Sequence, residues 1–128
     1  MLDPAIKELA QGKNFAALTV QLASGQASTQ IMWIDADDNH VIFNTEVDRN
    51  KFQAIKADPR VTVAVWDAKN PYHYAEVRGR VTATDDGPAA KDHIDFLAKK
   101  YMGLDEYPNS IKSSRVIVQI TPDRQRIQ

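Results

Sequence analysis

The spacing of apolar residues changes period several times along this chain, and each change marks an element. Ile6, Leu9 and Ala10 fall at helical spacing behind Asp3-Pro4, with Gly12 after them, which predicts a short amphipathic helix over 3–12. From Phe15 to Leu22 the period becomes two. Leu18, Val20 and Leu22 alternate with Ala17, Thr19 and Gln21, as in a strand with one buried face. Ser24-Gly25 turns the chain into a second strand over 27–35 that ends in Met32-Trp33-Ile34, and Asp37-Asp38-Asn39 turns it again into His40–Thr45. Three strands joined by short turns predict an antiparallel meander.

Asp48 suits the N-cap of a helix over 49–57, with Phe52 and Ile55 facing inward, and Asp58-Pro59 ends it because proline disfavours helical geometry in the residue before it. Val61, Val63 and Val65 then share one face of a strand over 60–66. A loop at 67–71 leads to a long strand over 72–84, where Ala75, Val77, Gly79, Val81 and Ala83 oppose Tyr74, Glu76, Arg78, Arg80 and Thr82. Asp86-Gly87-Pro88 opens a helix with Ile94, Leu97, Ala98 and Tyr101 on one side, and 114–120 forms the last strand. Six strands with helices at the joints predict a mainly β, α+β domain over 1–128, a small closed or partly closed antiparallel barrel.

Composition narrows the chemistry. With 16 Lys plus Arg against 17 Asp plus Glu there is no global field to recruit nucleic acid or an anionic membrane, so anion binding has to come from a local arrangement. The absence of cysteine removes disulfides, thiolate metal ligands and thiol nucleophiles together. Met1-Leu2-Asp3-Pro4 lacks the basic and long apolar segments of a signal peptide, and no window approaches the roughly 18 apolar residues of a membrane-spanning helix. A soluble cytoplasmic protein without membrane insertion is the expectation.

One local arrangement stands out. Phe43-Asn44-Thr45-Glu46-Val47-Asp48-Arg49-Asn50-Lys51 runs from a strand into a helix start and places two cations beside amides with no partner in their own helix. Free amides and the helix dipole both favour an anion there. The plainer reading is two solvated side chains, but basic groups sit unfavourably at a helix start, so they require an anionic ligand or a nearby acid such as Glu46 or Asp48. Trp33 and Trp66 suit core or interface positions, and Trp33 also suits the flank of a planar ligand. His40, His73 and His93 are too scattered for a metal site. Arg78 and Arg80 with Glu76 read as a charge ladder on an exposed or interfacial strand face, and Lys99-Lys100 as a solvated helix end. No nucleophile triad or glycine-rich phosphate loop is present, which fits a protein whose cofactor performs the chemistry.

Three blocks together resemble the pyridoxamine 5′-phosphate oxidase-like split β-barrels, in the branch that uses the deazaflavin coenzyme F420. They are Asp48-Arg49-Asn50-Lys51 with Ala57-Asp58-Pro59-Arg60-Val61, Asn70 through Gly79, and Ala98-Lys99-Lys100-Tyr101-Met102-Gly103. The resemblance spans nearly the whole chain and implies a six-stranded FMN-binding split-barrel type of fold, a homodimer, and a cofactor groove between subunits. Carried onto this sequence, it implies that Arg49 and Lys51 hold the cofactor phosphate and that Asn44 and Thr45 add hydrogen bonds. Met32, Trp33 and Ile34 would lie along the deazaflavin ring, and Tyr72 and Tyr74 would approach from the partner subunit.

The function so implied is an F420H2-dependent reductase that passes a hydride to an electron-poor small-molecule acceptor, with no metal. An FMN-dependent oxidoreductase on the same scaffold is the alternative enzyme, and a non-catalytic cofactor or tetrapyrrole carrier the alternative outside enzymes. Pyridoxamine phosphate oxidases resemble this chain less, since they carry additional C-terminal basic residues where this sequence has Arg124-Gln125-Arg126-Ile127-Gln128.

Overall fold

Asp3 opens the first helix as the sequence requires. In the computed structural model, which describes residues 1–128, its carboxylate accepts the Ala5 amide at 2.8 Å, and Pro4 begins α1 (Pro4–Gln11). The remaining elements are β1 (Phe15–Gln21), β2 (Ala27–Trp33), β3 (Asp35–Ala36), β4 (Val41–Glu46), α2 (Asn50–Ala57), β5 (Arg60–Asp67), β6 (Asn70–Asp85), α3 (Pro88–Met102) and β7 (Arg115–Ile127). The strands form one seven-stranded antiparallel sheet in the order β2-β1-β5-β6-β7-β4-β3.

Two expectations change here. The strand count is seven rather than six, and the meander reduces to the β1–β2 hairpin, because β4 pairs with β7 and β3 instead of β2. The cause lies at Ile34. Its amide donates to Tyr101 Oη at 3.0 Å and its carbonyl accepts Lys100 Nζ at 2.6 Å, so α3 takes the backbone groups a neighbouring strand would need. The predicted strand over 27–35 therefore splits at this residue. Since β2 and β3 lie at opposite edges of the sheet yet only Ile34 separates them, the sheet must curl until its edges approach.

Inside the curl a cluster of 21 buried residues forms the main core, including Leu18, Phe43, Val63, Val65, Val77, Val118 and Ile120. Ile6, Leu9 and Ala10 of α1 and Phe52 and Ile55 of α2 belong to the same cluster, as their spacing predicted. A second, smaller cluster of Ile94, Leu97 and Tyr101 binds α3 to the outside of the curl, packed against Trp33 and Tyr107. The cavity described below opens between these two clusters.

Three details position the site. Arg49, not Asp48, is the N-cap of α2; it has extended backbone and makes no side-chain cap bond, while the Asp48 carboxylate accepts Ser113 Oγ at 2.8 Å. Gly79 sits at a register shift between β6 and β7 where a Cβ would lie 2.2 Å from the Thr121 carbonyl oxygen, so any side chain would force the strands apart. On the outer face of the sheet, Trp33, Phe15, Trp66 and Tyr74 stand in one cross-strand row over β2, β1, β5 and β6. Trp66 is thus half-buried on that face and lies outside the core.

Candidate functional site

A groove of about 370 Å³ lies where the start of α2, the ends of β2 and β4, one face of α3 and the 107–109 segment converge. Its polar end is lined by Asn44, Thr45, Arg49, Lys51, Asn109 and Arg115. The rest is an apolar trench of Phe15, Ile31, Met32, Trp33, Ile94, Leu97, Met102 and Tyr107.

The polar end is built on the first turn of α2. Phe52 and Gln53 both direct their amides at the Arg49 carbonyl, at 3.1 and 3.2 Å, whereas the amides of Asn50 and Lys51 have no acceptor in the chain. Neither the Arg49 guanidinium nor the Lys51 ammonium makes a hydrogen bond or ion pair, and the two acids that might have neutralised them are committed elsewhere. Burial lowers the Lys51 pKa from its ordinary 10.5, and the charges of Arg49 and Arg115 lower it further. A half-buried ammonium repelled by two guanidiniums beside two free amides is an arrangement that an anion stabilises and water solvates poorly.

Arg115 completes the set of cations and is held rigidly. Its Nε donates to Asn44 Oδ1 at 2.8 Å, its Nη1 lies 3.6 Å from Glu46 Oε2, and its guanidinium sits 5.3 Å from the Tyr107 ring centre. Glu46 is 4% exposed and accepts the Lys112 and Ser113 amides, both at 2.8 Å. Burial alone would raise the Glu46 pKa, but the Ser113 and Lys112 amides and the Arg115 charge outweigh it and hold the carboxyl below its ordinary value. The buried carboxylate thereby fixes the segment that leads from Tyr107 and Asn109 into β7.

The trench wall is an aromatic ladder. Trp33 stacks on Tyr101 with centroids 5.0 Å apart and planes 4° from parallel, and meets Tyr107 edge-on at 6.0 Å. Tyr101 is locked from behind, because its hydroxyl accepts the Ile34 amide and donates to the Asn14 carbonyl, and burial pushes its pKa up to about 12. Lys100 is no solvated helix end. Its ammonium donates to the carbonyls of Ala10, Gln11 and Ile34, clamping α1 to the β2–β3 joint, and burial lowers its pKa to about 8 against the opposing pull of Asp35.

Of the residues singled out by sequence, Met32, Trp33, Asn44, Thr45, Arg49 and Lys51 line this one groove. Ile34 does not; its side chain is fully buried in the core. Tyr72, 81% exposed, and Tyr74 do not line the groove of their own chain. Asn44 spends both amide hydrogens on the Ala90 carbonyl and His93 Nδ1, so it holds other residues instead of offering a donor to the cavity. The residues missed were Arg115, Tyr107 and Asn109. The signal for Arg115 was its place opposite Glu46 in the β4–β7 register, which is invisible without the strand pairing. His40 pairs with Asp37 in the turn before β4, and His73 Nδ1 lies 2.6 Å from the Gln128 carbonyl oxygen.

Known structures share this architecture. A solved structure described as an F420 reductase superposes with a TM-score of 0.83 at 28% identity, covering 98% of each chain. A conserved hypothetical protein from Mycobacterium tuberculosis gives 0.76 at 20% identity over 99% of this chain and 84% of its own. A putative pyridoxamine 5′-phosphate oxidase from Listeria innocua gives 0.70 at 20% identity over 96% and 92%, and the likeness of these last two concerns the fold alone. Among the curated proteins none matches the chain. The family model described as pyridoxamine 5′-phosphate oxidase matches residues 2–128, and with the curled antiparallel sheet and its cationic groove the chain belongs to the pyridoxamine 5′-phosphate oxidase family, oxidoreductases whose fold often holds flavin or deazaflavin cofactors.

Proposed function

We propose that this protein is a reductase dependent on coenzyme F420, which binds the reduced deazaflavin and delivers its hydride to an electron-poor organic acceptor. The observation that carries the reading is Lys51: a half-buried cation with no partner, flanked by Arg49, Arg115 and two unsatisfied amides at the mouth of an aromatic trench. Such an end fits a phosphate, and a trench floored by Trp33, Met32 and Tyr107 fits a planar ring, so the residues present suit a phosphorylated deazaflavin.

Bound there, the coenzyme supplies the hydride. The chain's own part is to neutralise the phosphate with Arg49, Lys51 and Arg115, to accept or donate one hydrogen bond through Thr45, and to hold the ring against the Trp33 flank. Met102 and Phe15 add apolar surface along the trench for the ring to cover. We read the curled sheet as half of a split barrel whose groove a second copy completes. The row of Trp33, Phe15, Trp66 and Tyr74, with Ile31 beside it at 64% exposed, supplies an apolar face for that copy, and would bring the partner's tyrosine-bearing strand to the ring.

The likeness to an F420 reductase supports the deazaflavin over FMN. FMN remains the second reading because its phosphate would meet the same three cations. The test is to follow consumption of F420H2 in the presence of quinones, tetrapyrroles or unsaturated lactones. Acceptor-dependent oxidation whose rate scales with protein and saturates with F420H2 supports the proposal; no turnover with any acceptor, alongside tight FMN binding, overturns it.

A further inference from the structure

Asn44 stands at the centre of a hydrogen-bonded chain that reaches from Arg115 in the groove through His93 of α3 to Asp35 of β3. Its Oδ1 accepts Arg115 Nε at 2.8 Å, while its Nδ2 donates to the Ala90 carbonyl at 2.9 Å and to His93 Nδ1 at 3.1 Å. Turning the amide over would set its oxygen against the Ala90 carbonyl and its hydrogens against those of Arg115, so both contacts fix its orientation. His93 Nδ1 must then be an acceptor. Its proton resides on Nε2, which donates to Asp35 Oδ2 at 3.0 Å. The pair is well enclosed, with side-chain exposures of 13% for His93 and 16% for Asp35.

We infer that His93 is a positioning residue for the anion site: with its tautomer fixed by Asp35, it holds Asn44 so that Asn44 aims the Arg115 guanidinium into the groove. His93 does not line the groove and touches nothing that would bind there, so any influence on a ligand passes through Asn44 and Arg115. Glu46 and Tyr107 meet the same guanidinium through Nη1 and through its face, and Asn44 supplies the acceptor for Nε. The device joins α3 to β4, the two elements that face each other across the cavity. It rests on the anion site proposed above.

The experiment uses the full chain as His93→Ala, His93→Asn, Arg115→Ala and the double variant His93→Ala/Arg115→Ala. Each is titrated with coenzyme F420 and with FMN, and the Arg115 Nε–H resonance is recorded without ligand in nitrogen-edited spectra. The parent should show a slowly exchanging Nε–H. His93→Ala should lose it and weaken binding about 3- to 10-fold, the scale of one net hydrogen bond. Asparagine at this position keeps an acceptor near Nδ1, so His93→Asn should retain both within about twofold, and His93→Ala should add no more than that in the Arg115→Ala background. A merely structural histidine would weaken binding equally in both backgrounds, and that result overturns the inference. So does a sharp Nε–H with unchanged affinity in His93→Ala. If the parent binds neither probe, the anion reading itself falls, and the resonance alone decides: its loss in His93→Ala and return in His93→Asn support the positioning role, and its persistence refutes it.

Discussion

Trp33 lies flat against Tyr101, ring centres 5.0 Å apart and planes within 4° of parallel. One face of this stack borders the groove, and the tyrosine behind it bonds the backbone at Ile34, where the sheet breaks. The residue at which the sheet breaks and the residue that flanks the groove are therefore held by the same side chain.

Tyr101→Phe keeps the stack and loses the hydroxyl, so it should destabilise the protein by about 1–2 kcal/mol, whereas Tyr101→Ala should cost about 3–5 kcal/mol and disorder Trp33 as well. Denaturant titration gives the energies and near-ultraviolet circular dichroism reports the tryptophan. The raised Tyr101 pKa has a sign. The folded state prefers the neutral phenol, so this stability is complete below the ordinary pKa of 10.0 and is lost as pH rises through about 12. Tyr101→Phe should flatten that alkaline limb.

Lys51→Met should trade binding for stability. Removing an unpartnered cation that Arg49 and Arg115 repel should leave the unfolding midpoint unchanged or raised, while affinity for a phosphorylated cofactor falls by about 1.5–3 kcal/mol, the range of a charge-assisted bond. In the parent without ligand, the Lys51 pKa is lowered in the folded state, so its destabilising effect disappears as pH rises from that lowered value to 10.5. Cofactor affinity should fall over the same range as the ammonium is lost. Thermal unfolding and titration at several alkaline pH values measure both.

Glu46 carries the acid limb. Its pKa is held below the ordinary 4.5, so the stability it contributes is present above that value and is lost as pH falls through the folded pKa. Glu46→Ala leaves Arg115 without its ion-pair partner and the Lys112 and Ser113 amides without an acceptor, and should destabilise by about 3–5 kcal/mol, as breaking a buried pair does. Its unfolding free energy should also vary less with pH below 4.5 than that of the parent.

The outer-face row gives a prediction about assembly. Trp66→Arg should convert the proposed dimer to a monomer and lower cofactor affinity, though Trp66 lines no part of the groove in its own chain. Light scattering coupled to size exclusion separates the cases; a parent that is monomeric at all concentrations contradicts the shared groove.

Much of this was legible in the sequence because local patterns carried it. The alternation in β1 and β5, the stop at Asp58-Pro59 and the face of α3 through Ile94, Leu97 and Tyr101 all need only near neighbours. The lysine at the start of α2 was legible for the same reason. What escaped depends on long-range pairing. Ile34 reads as a strand residue until Tyr101 and Lys100 take its backbone groups, and Asp48 reads as an N-cap until Ser113 claims its carboxylate. Arg115 becomes a site residue only when β7 pairs with β4, and Lys100 reads as a solvent-facing cation until α1 ends beside it.

The most direct test of the central claim is a titration of the parent and of Lys51→Met with coenzyme F420, followed by tryptophan fluorescence. Saturable quenching in the parent, with an affinity at least about tenfold weaker in Lys51→Met, is the predicted result, given the scale of charge-assisted phosphate contacts. Identical binding curves for the two proteins would contradict a phosphate held at the start of α2.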